Sequence, residues 1–211
     1  MKIDILTLFP DMFKGPFDVS IIKRAASKDL SQIEVHDLRK WRDTERRNVD
    51  DRPYGGGVGM LLRVDVIDKA LNEIKKKNSK VILLDATGKR YTQQKAQELS
   101  NLDHLILIAG HYEGVDHRVH EHLVDEVISI GDYVLTGGEI PAMVIVDSVI
   151  RLIPRVLGKD ESSTDESHKE PGYLEYPQYT RPEVYNAWHV PKVLLRGNHE
   201  EIKTWRIKNS Q

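Results

Sequence analysis

The segment Ile140 to Ile153, Ile-Pro-Ala-Met-Val-Ile-Val-Asp-Ser-Val-Ile-Arg-Leu-Ile, places the tightest limit on how this chain folds. It reads as a helix, with Pro141 in the first turn, where a missing N–H costs nothing, and Pro154 as its stop. The helix is apolar nearly all round, so it has to be covered on most sides. Asp147, Ser148 and Arg151 are the interruptions, and their i, i+3, i+4 spacing gathers them into one polar stripe. Ahead of it a strand-like run, Asp125 to Ile130, breaks at Gly131-Asp132. Tyr133-Val134-Leu135 follows, and Thr136-Gly137-Gly138 turns the chain, the two glycines permitting positive φ and close backbone approach. A buried helix with one polar stripe behind a glycine turn suits the wall of a ligand pocket. An Asp147–Arg151 ion pair at a helix edge is the plainer alternative.

The rest of the chain alternates short apolar strands with helices. Strands are expected at Lys2–Leu8, Gln32–Leu38, Lys80–Leu84 and His104–Ala109, and helices at Ser20–Ser27, Val64–Lys76, Gln93–Leu99 and His117–Leu123. This order predicts an α/β fold with a parallel sheet and helices on both faces. Ligands bind beyond the carboxyl ends of such strands. Three glycine-bearing loops, 85–88, 110–114 and 131–138, follow three consecutive strands and should converge on one sheet edge. Residues 1–157 form this domain. Residues 158–176 are a polar stretch expected to be a flexible linker. Residues 177–211 are expected to be a small helical domain, with one helix opened by Arg181-Pro182-Glu183 and a last helix over Asn198–Asn209. Lys192, Arg196, Lys203, Arg206 and Lys208 lie on its exposed side.

Several chemistries are excluded or weakened. The absence of cysteine removes disulfides, thiolate metal sites and cysteine nucleophiles, and fits a reducing cytoplasm. No run of about 18 apolar residues exists, and Asp4 within the first apolar run argues against a signal peptide, so no membrane role is expected. A formal net charge of −2 argues against indiscriminate coating of nucleic acid, but leaves room for a local basic patch. One candidate is the loop 39–52, with Arg39, Lys40, Arg42, Arg46, Arg47 and Arg52 against Asp43, Glu45, Asp50 and Asp51 beside Trp41; a solvated loop is the alternative. Tyr54-Gly-Gly-Gly-Val-Gly59 matches neither phosphate-binding fingerprint. His117, His120 and His122 lack zinc spacing and read as solvated helix residues.

Five segments stand in a specific order: Asp50-Asp-Arg-Pro-Tyr-Gly-Gly-Gly-Val-Gly-Met60, Gly110-His-Tyr-Glu-Gly-Val-Asp116, Ser129-Ile-Gly-Asp-Tyr-Val-Leu-Thr-Gly-Gly-Glu-Ile-Pro-Ala142, Tyr179-Thr-Arg-Pro182 and Val190-Pro-Lys-Val-Leu-Leu-Arg-Gly-Asn-His199. From residue 3 to about residue 207 the chain resembles the bacterial tRNA (guanine-N1)-methyltransferases, the TrmD-like family of the SPOUT superfamily. That resemblance implies a C-terminal deep trefoil knot, an exception to the rule against knotted chains. It also implies a homodimer using S-adenosylmethionine to methylate N1 of the guanine at tRNA position 37, just 3′ of the anticodon, when another guanine precedes it. Magnesium is a further implied cofactor, for which the sequence shows no coordination motif. By motif match the cofactor site comprises Leu84, Gly110, Tyr112, Glu113, Ile130, Gly131, Asp132, Tyr133, Val134, Leu135, Gly137 and Gly138.

The family's catalytic arginine falls on Arg151, already isolated on its apolar helix. N1 of guanine carries a proton that a carboxylate base must remove, and a guanidinium can stabilise charge developing on O6. The family places an aspartate immediately before a serine; here Glu166 precedes Ser167, with Asp165 one position earlier. Glu166 is preferred as the base and Asp165 is the alternative. Ala86 replaces a proline common in relatives, and the sequence ends at Gln211 where relatives continue with further helices, which bears on tRNA affinity and substrate range. The alternatives are another SPOUT RNA methyltransferase, or an RNA-binding relative with impaired catalysis.

Overall fold

The computed structural model describes residues 1–43, 48–157 and 166–211, which divide into two compact units, Met1–Gly158 and Lys159–Gln211. In chain order the first unit runs β1 (Lys2–Thr7), α1 (Ser20–Ser27), β2 (Gln32–Asp37), the two-residue strands β3 (Asp50–Asp51) and β4 (Leu61–Leu62), α2 (Val64–Ile74), β5 (Ser79–Arg90), α3 (Gln93–Ser100), β6 (His104–Ala109), α4 (His117–His122), β7 (Glu126–Ser129) and α5 (Glu139–Ile150). Five strands form one sheet in the order β2-β1-β6-β5-β7, and every pairing in it is parallel. The strands β3 and β4 pair as a separate antiparallel hairpin.

The two-residue period of a strand divides the core into two layers. Ile3 and Ile5 of β1, Ile82 and Leu84 of β5, and Leu105 and Leu107 of β6 face a layer that includes Ala142, Ile145, Val146, Val149 and Ile150 of α5. Leu6, Val81, Leu83, Ile106 and Ile108 face the other, packed on Val66, Ile67, Ala70 and Leu71 of α2. Because β6 is central and covered on both faces, all six of its residues are buried, which is why it reads as an uninterrupted apolar run.

Three local expectations change. First, β5 does not end at Leu84: Leu84 and Lys89 both pair with Ile128, so residues 85–88 bulge out and the strand resumes to Arg90. Gly88 makes this possible, since a Cβ there would lie 2.6 Å from the Ile128 backbone. Second, α5 starts at Glu139, and Arg151 is already its C-cap, before Pro154 is reached. Its buried residues lie on one face, while Ile140 and Val144 are 46% and 42% exposed, so the unit itself covers only part of this apolar helix. The polar stripe divides as well: Asp147 is exposed, whereas Ser148 shares a 2.7 Å hydrogen bond with Tyr91. Third, His120 is not solvated but half-buried, 3.9 Å from Asp85.

In the second unit, Arg181-Pro182-Glu183 opens no helix. It leads into a hairpin of β8 (Val184–Tyr185) and β9 (Trp188–His189), joined by Asn186 and Ala187, both with positive φ as a two-residue primed turn requires. Two helices follow, α6 (Lys192–Leu195) and α7 (His199–Asn209). The Asn198 side chain accepts from the backbone N–H groups of Glu200 and Glu201 and so caps α7. Residues 166–176 are tied in as well: Leu174 and Gln211 exchange backbone hydrogen bonds of 2.8 and 3.0 Å, and Ser167 Oγ accepts from the Glu175 N–H. Among the described residues, no helix is long and apolar enough to cross a membrane.

Candidate active site

At the carboxyl ends of β5, β6 and β7 the three glycine-bearing loops meet around an open cleft of about 280 Å³. Its lining comes from residues 84–87, 110–114, 128–131 and 133–138, with Pro141 at the start of α5. The 85–88 bulge is held by Asp85, whose Oδ1 accepts from both the N–H and the hydroxyl of Thr87 at 2.8 and 2.7 Å. The 110–114 segment turns through Tyr112 at φ 60°, a left-handed conformation costly for a side-chain-bearing residue and often found at functional sites.

The other two segments are packed backbone to backbone. The Gly138 N–H donates to Gly110 C=O at 2.7 Å, and His111 and Gly137 form an antiparallel bridge. A Cβ on Gly138 would stand 2.6 Å from Ala109 Cα, and one on Gly137 2.6 Å from His111 Nδ1. These glycines therefore serve close approach. Neither uses the positive φ that the sequence suggested, Gly138 lying at φ −82°. The glycine hairpin between β3 and β4 joins the same edge, since the Glu113 N–H donates to Met60 C=O and Gly59 faces the Glu113 side chain.

Eleven of the twelve residues expected at a cofactor site line this cleft. Asp132 is the exception; its side chain is almost fully exposed and lies 3.5 Å from Arg90. Sequence reasoning passed over His111 and Glu139 individually. Glu139 is buried to 1% exposure, an unusual fate for a carboxylate, and its Oε1 accepts from the Thr7 hydroxyl at 2.7 Å.

The whole chain, residues 1–211, matches the family described as tRNA (Guanine-1)-methyltransferase TrmD. The chain belongs to the TrmD family. Among curated relatives named tRNA (guanine-N(1)-)-methyltransferase, it is 55% identical to that of Dictyoglomus turgidum, with 100% of this chain and 85% of the relative covered. Identity is 53% to one from Dehalococcoides mccartyi, over 100% of this chain and 86% of the relative. It is 49% to that of Bacillus subtilis, over 100% and 87%.

Of the residues with a TrmD-type catalytic role by resemblance, Arg151 is half-buried at the far end of α5 from the cleft. It stands ten positions after Pro141, about 15 Å along a helix axis, and does not line the cleft. Glu166 belongs to the second unit, and Asp165 lies outside the described residues. For magnesium, the described residues offer one group of potential ligands, Asp4, Glu34 and His36, with ligand atoms within 4.8 Å of one another. It does not fit. Lys2 Nζ already stands 3.2 Å from Asp4 and 3.1 Å from Glu34, an imidazole is a poor magnesium ligand, and the group lies on β1 and β2 away from the cleft.

Proposed function

We propose that this protein transfers a methyl group from S-adenosylmethionine to N1 of the guanine at tRNA position 37 when a guanine precedes it, acting in the cytoplasm as a homodimer with a knotted first domain. The observation that carries the reading is the meeting of three glycine-bearing loops beyond the carboxyl ends of parallel strands, in a chain of the TrmD family. The cleft suits the donor. Its lining combines apolar side chains such as Leu84, Ile130 and Leu135 with the close-packed backbone at Gly110, Gly137 and Gly138. Tyr112, Glu113, Gly131, Tyr133 and Val134 complete the holding residues among those implied by resemblance, and Asp132 is left out on its position. Bound there, S-adenosylmethionine supplies an electrophilic methyl group.

The chain's own residues then have to take a proton from N1 and steady charge on O6. Arg151 offers a planar guanidinium for O6, and Glu166, or Asp165, the carboxylate for the N1 proton. In one protomer α5 keeps Arg151 some 15 Å along its axis from Pro141. A second copy packed on the exposed Ile140 and Val144 face would let the arginine of one protomer serve the cleft of the other.

The test is methyl transfer from labelled S-adenosylmethionine to tRNA carrying two guanines, the second just 3′ of the anticodon. Transfer lost on replacing that second guanine supports the reading. Donor binding without transfer points instead to an RNA-binding relative. Arg151→Ala should lower kcat by about 10²- to 10³-fold while changing donor affinity far less. An equal loss in both would remove its O6 role. Glu166→Gln and Asp165→Asn should differ in single-turnover rate, with Glu166→Gln the slower.

A further inference from the structure

Behind the cleft wall two polar side chains face each other without bonding. His111 Nδ1 is buried and has no hydrogen-bond partner among the described residues, and it lies 3.6 Å from Glu139 Oε2, beyond hydrogen-bond range. Both are pressed against Gly137: a Cβ there would stand 2.3 Å from the Glu139 oxygen and 2.6 Å from the histidine nitrogen. Two residues hold them nearly in place. Thr7 donates to the other Glu139 oxygen and itself accepts from the Phe9 N–H, while the Phe9 ring packs on the His111 ring at 4.5 Å between centroids. The first turn of the twelve-residue α5 adds a favourable field for the Glu139 charge. Of the charged groups nearby, Glu139 faces His111 directly, and Arg39 stands on the Phe9 ring.

A buried ring nitrogen without a partner is costly, and with the proton on Nδ1 an approach of about 0.7 Å makes the bond to Glu139 Oε2. The bond would add a side-chain tie beside the Gly138–Gly110 backbone bond and the His111–Gly137 bridge, which already join 110–114 to the turn ahead of α5. We propose that His111 and Glu139 are positioning residues: Nδ1–H donates to Glu139 Oε2 when ligand fills the cleft, bracing the joined 110–114 and 131–138 segments as one wall and so raising the affinity for the methyl donor. The inference rests on the reading that S-adenosylmethionine occupies this cleft. The role proposed for them requires no contact with the transferred methyl group or the base.

The test uses the full chain with His111→Ala, His111→Asn and Glu139→Gln. Asparagine keeps an N–H donor near the Nδ1 position and alanine does not. Calorimetric titration with S-adenosylmethionine alone should show Kd about tenfold weaker for His111→Ala, the loss of about 1.4 kcal/mol, and within about threefold of wild type for His111→Asn. Glu139→Gln, which retains an acceptor but loses the charge, should fall between them. In turnover, KM for the donor should rise more than kcat falls. With saturating donor, amide hydrogen exchange over 110–114 and 131–138 should be faster in His111→Ala than in wild type and restored by His111→Asn. Affinity and exchange identical in all variants, or equal losses in alanine and asparagine, would overturn the proposal. If alanine fails to fold, the ordering of His111→Asn against Glu139→Gln decides the same question. Wild type that binds no S-adenosylmethionine rejects the donor reading, whereas wild type that binds it no more tightly than His111→Ala rejects the latch alone.

Discussion

One sheet buries two carboxylates, at opposite ends and on different terms. At the amino ends of the strands, Asp4 is fully buried and receives His36 Nε2 at 2.5 Å, His104 Nε2 at 2.6 Å and Lys2 Nζ at 3.2 Å. Even the second ring nitrogen of His104 is engaged, 2.7 Å from Ser79 Oγ. Burial pushes the Asp4 carboxyl upward, but the hydrogen bonds from His36, His104 and Lys2 outweigh it and leave the pKa at about 2. At the carboxyl ends, Glu139 accepts one hydroxyl bond and His111 Nδ1 stands off at 3.6 Å. The closed network is what a group kept for stability looks like, since every buried polar atom is matched. The open one sits behind Gly137, at the first turn of α5.

Breaking the open end should cost activity, and breaking the closed end stability. The largest effect is expected from Gly138→Ala: its Cβ would meet the Ala109 and Gly110 backbone at 2.6 and 2.8 Å, so one strand end must move. Methyl transfer should fall by about a hundredfold, measured as kcat/KM, while the protein stays folded by circular dichroism. Next comes Asp4→Asn. A carboxyl whose folded pKa is depressed stabilises above its unfolded pKa, and that contribution is lost as pH falls through the folded value. Urea unfolding at pH 7 should show a loss of about 2 kcal/mol, shrinking between about pH 4 and pH 2, with methyl transfer per folded molecule unchanged. Ser79→Ala removes the partner of His104 Nδ1 and the acceptor of the Lys76 N–H, and should cost about 1 kcal/mol in the same measurement. The smallest change belongs to Asp132→Ala, which loses only an exposed pair with Arg90: less than about 0.5 kcal/mol of stability and under a twofold shift in donor Kd.

Much of this arrangement was legible in the chain, and the exceptions share a cause. The β6 run and the α1 boundaries could be read directly, since a strand covered on both faces and a short amphipathic helix each leave a local pattern. The cleft was legible as three glycine loops following three strands. What sequence could not supply were properties set by a distant neighbour. Residues 85–88 become a bulge because Lys89 and Arg90 find β7 again. Glu139 looks like an ordinary acid just ahead of the helix until Thr7, 132 residues away, and His111 enclose it. His120 looks solvated until Asp85 is placed beside it. The hairpin at 184–189 hides because two residues of positive φ, neither of them glycine, make its turn.

The bulge in β5 has a mechanical consequence. Its two ends are anchored on the same residue of β7, Ile128, and Tyr91 fastens the exit with a 2.8 Å bond from its N–H to Ser129 C=O. A segment pinned on both sides behaves as the fixed jaw of a vice, so any tightening around a guest has to be performed by the opposing jaw, 110–114 and 131–138. Inhibitors elaborated toward the fixed side would find a rigid template, whereas those grown toward the other would meet a surface that adjusts to them.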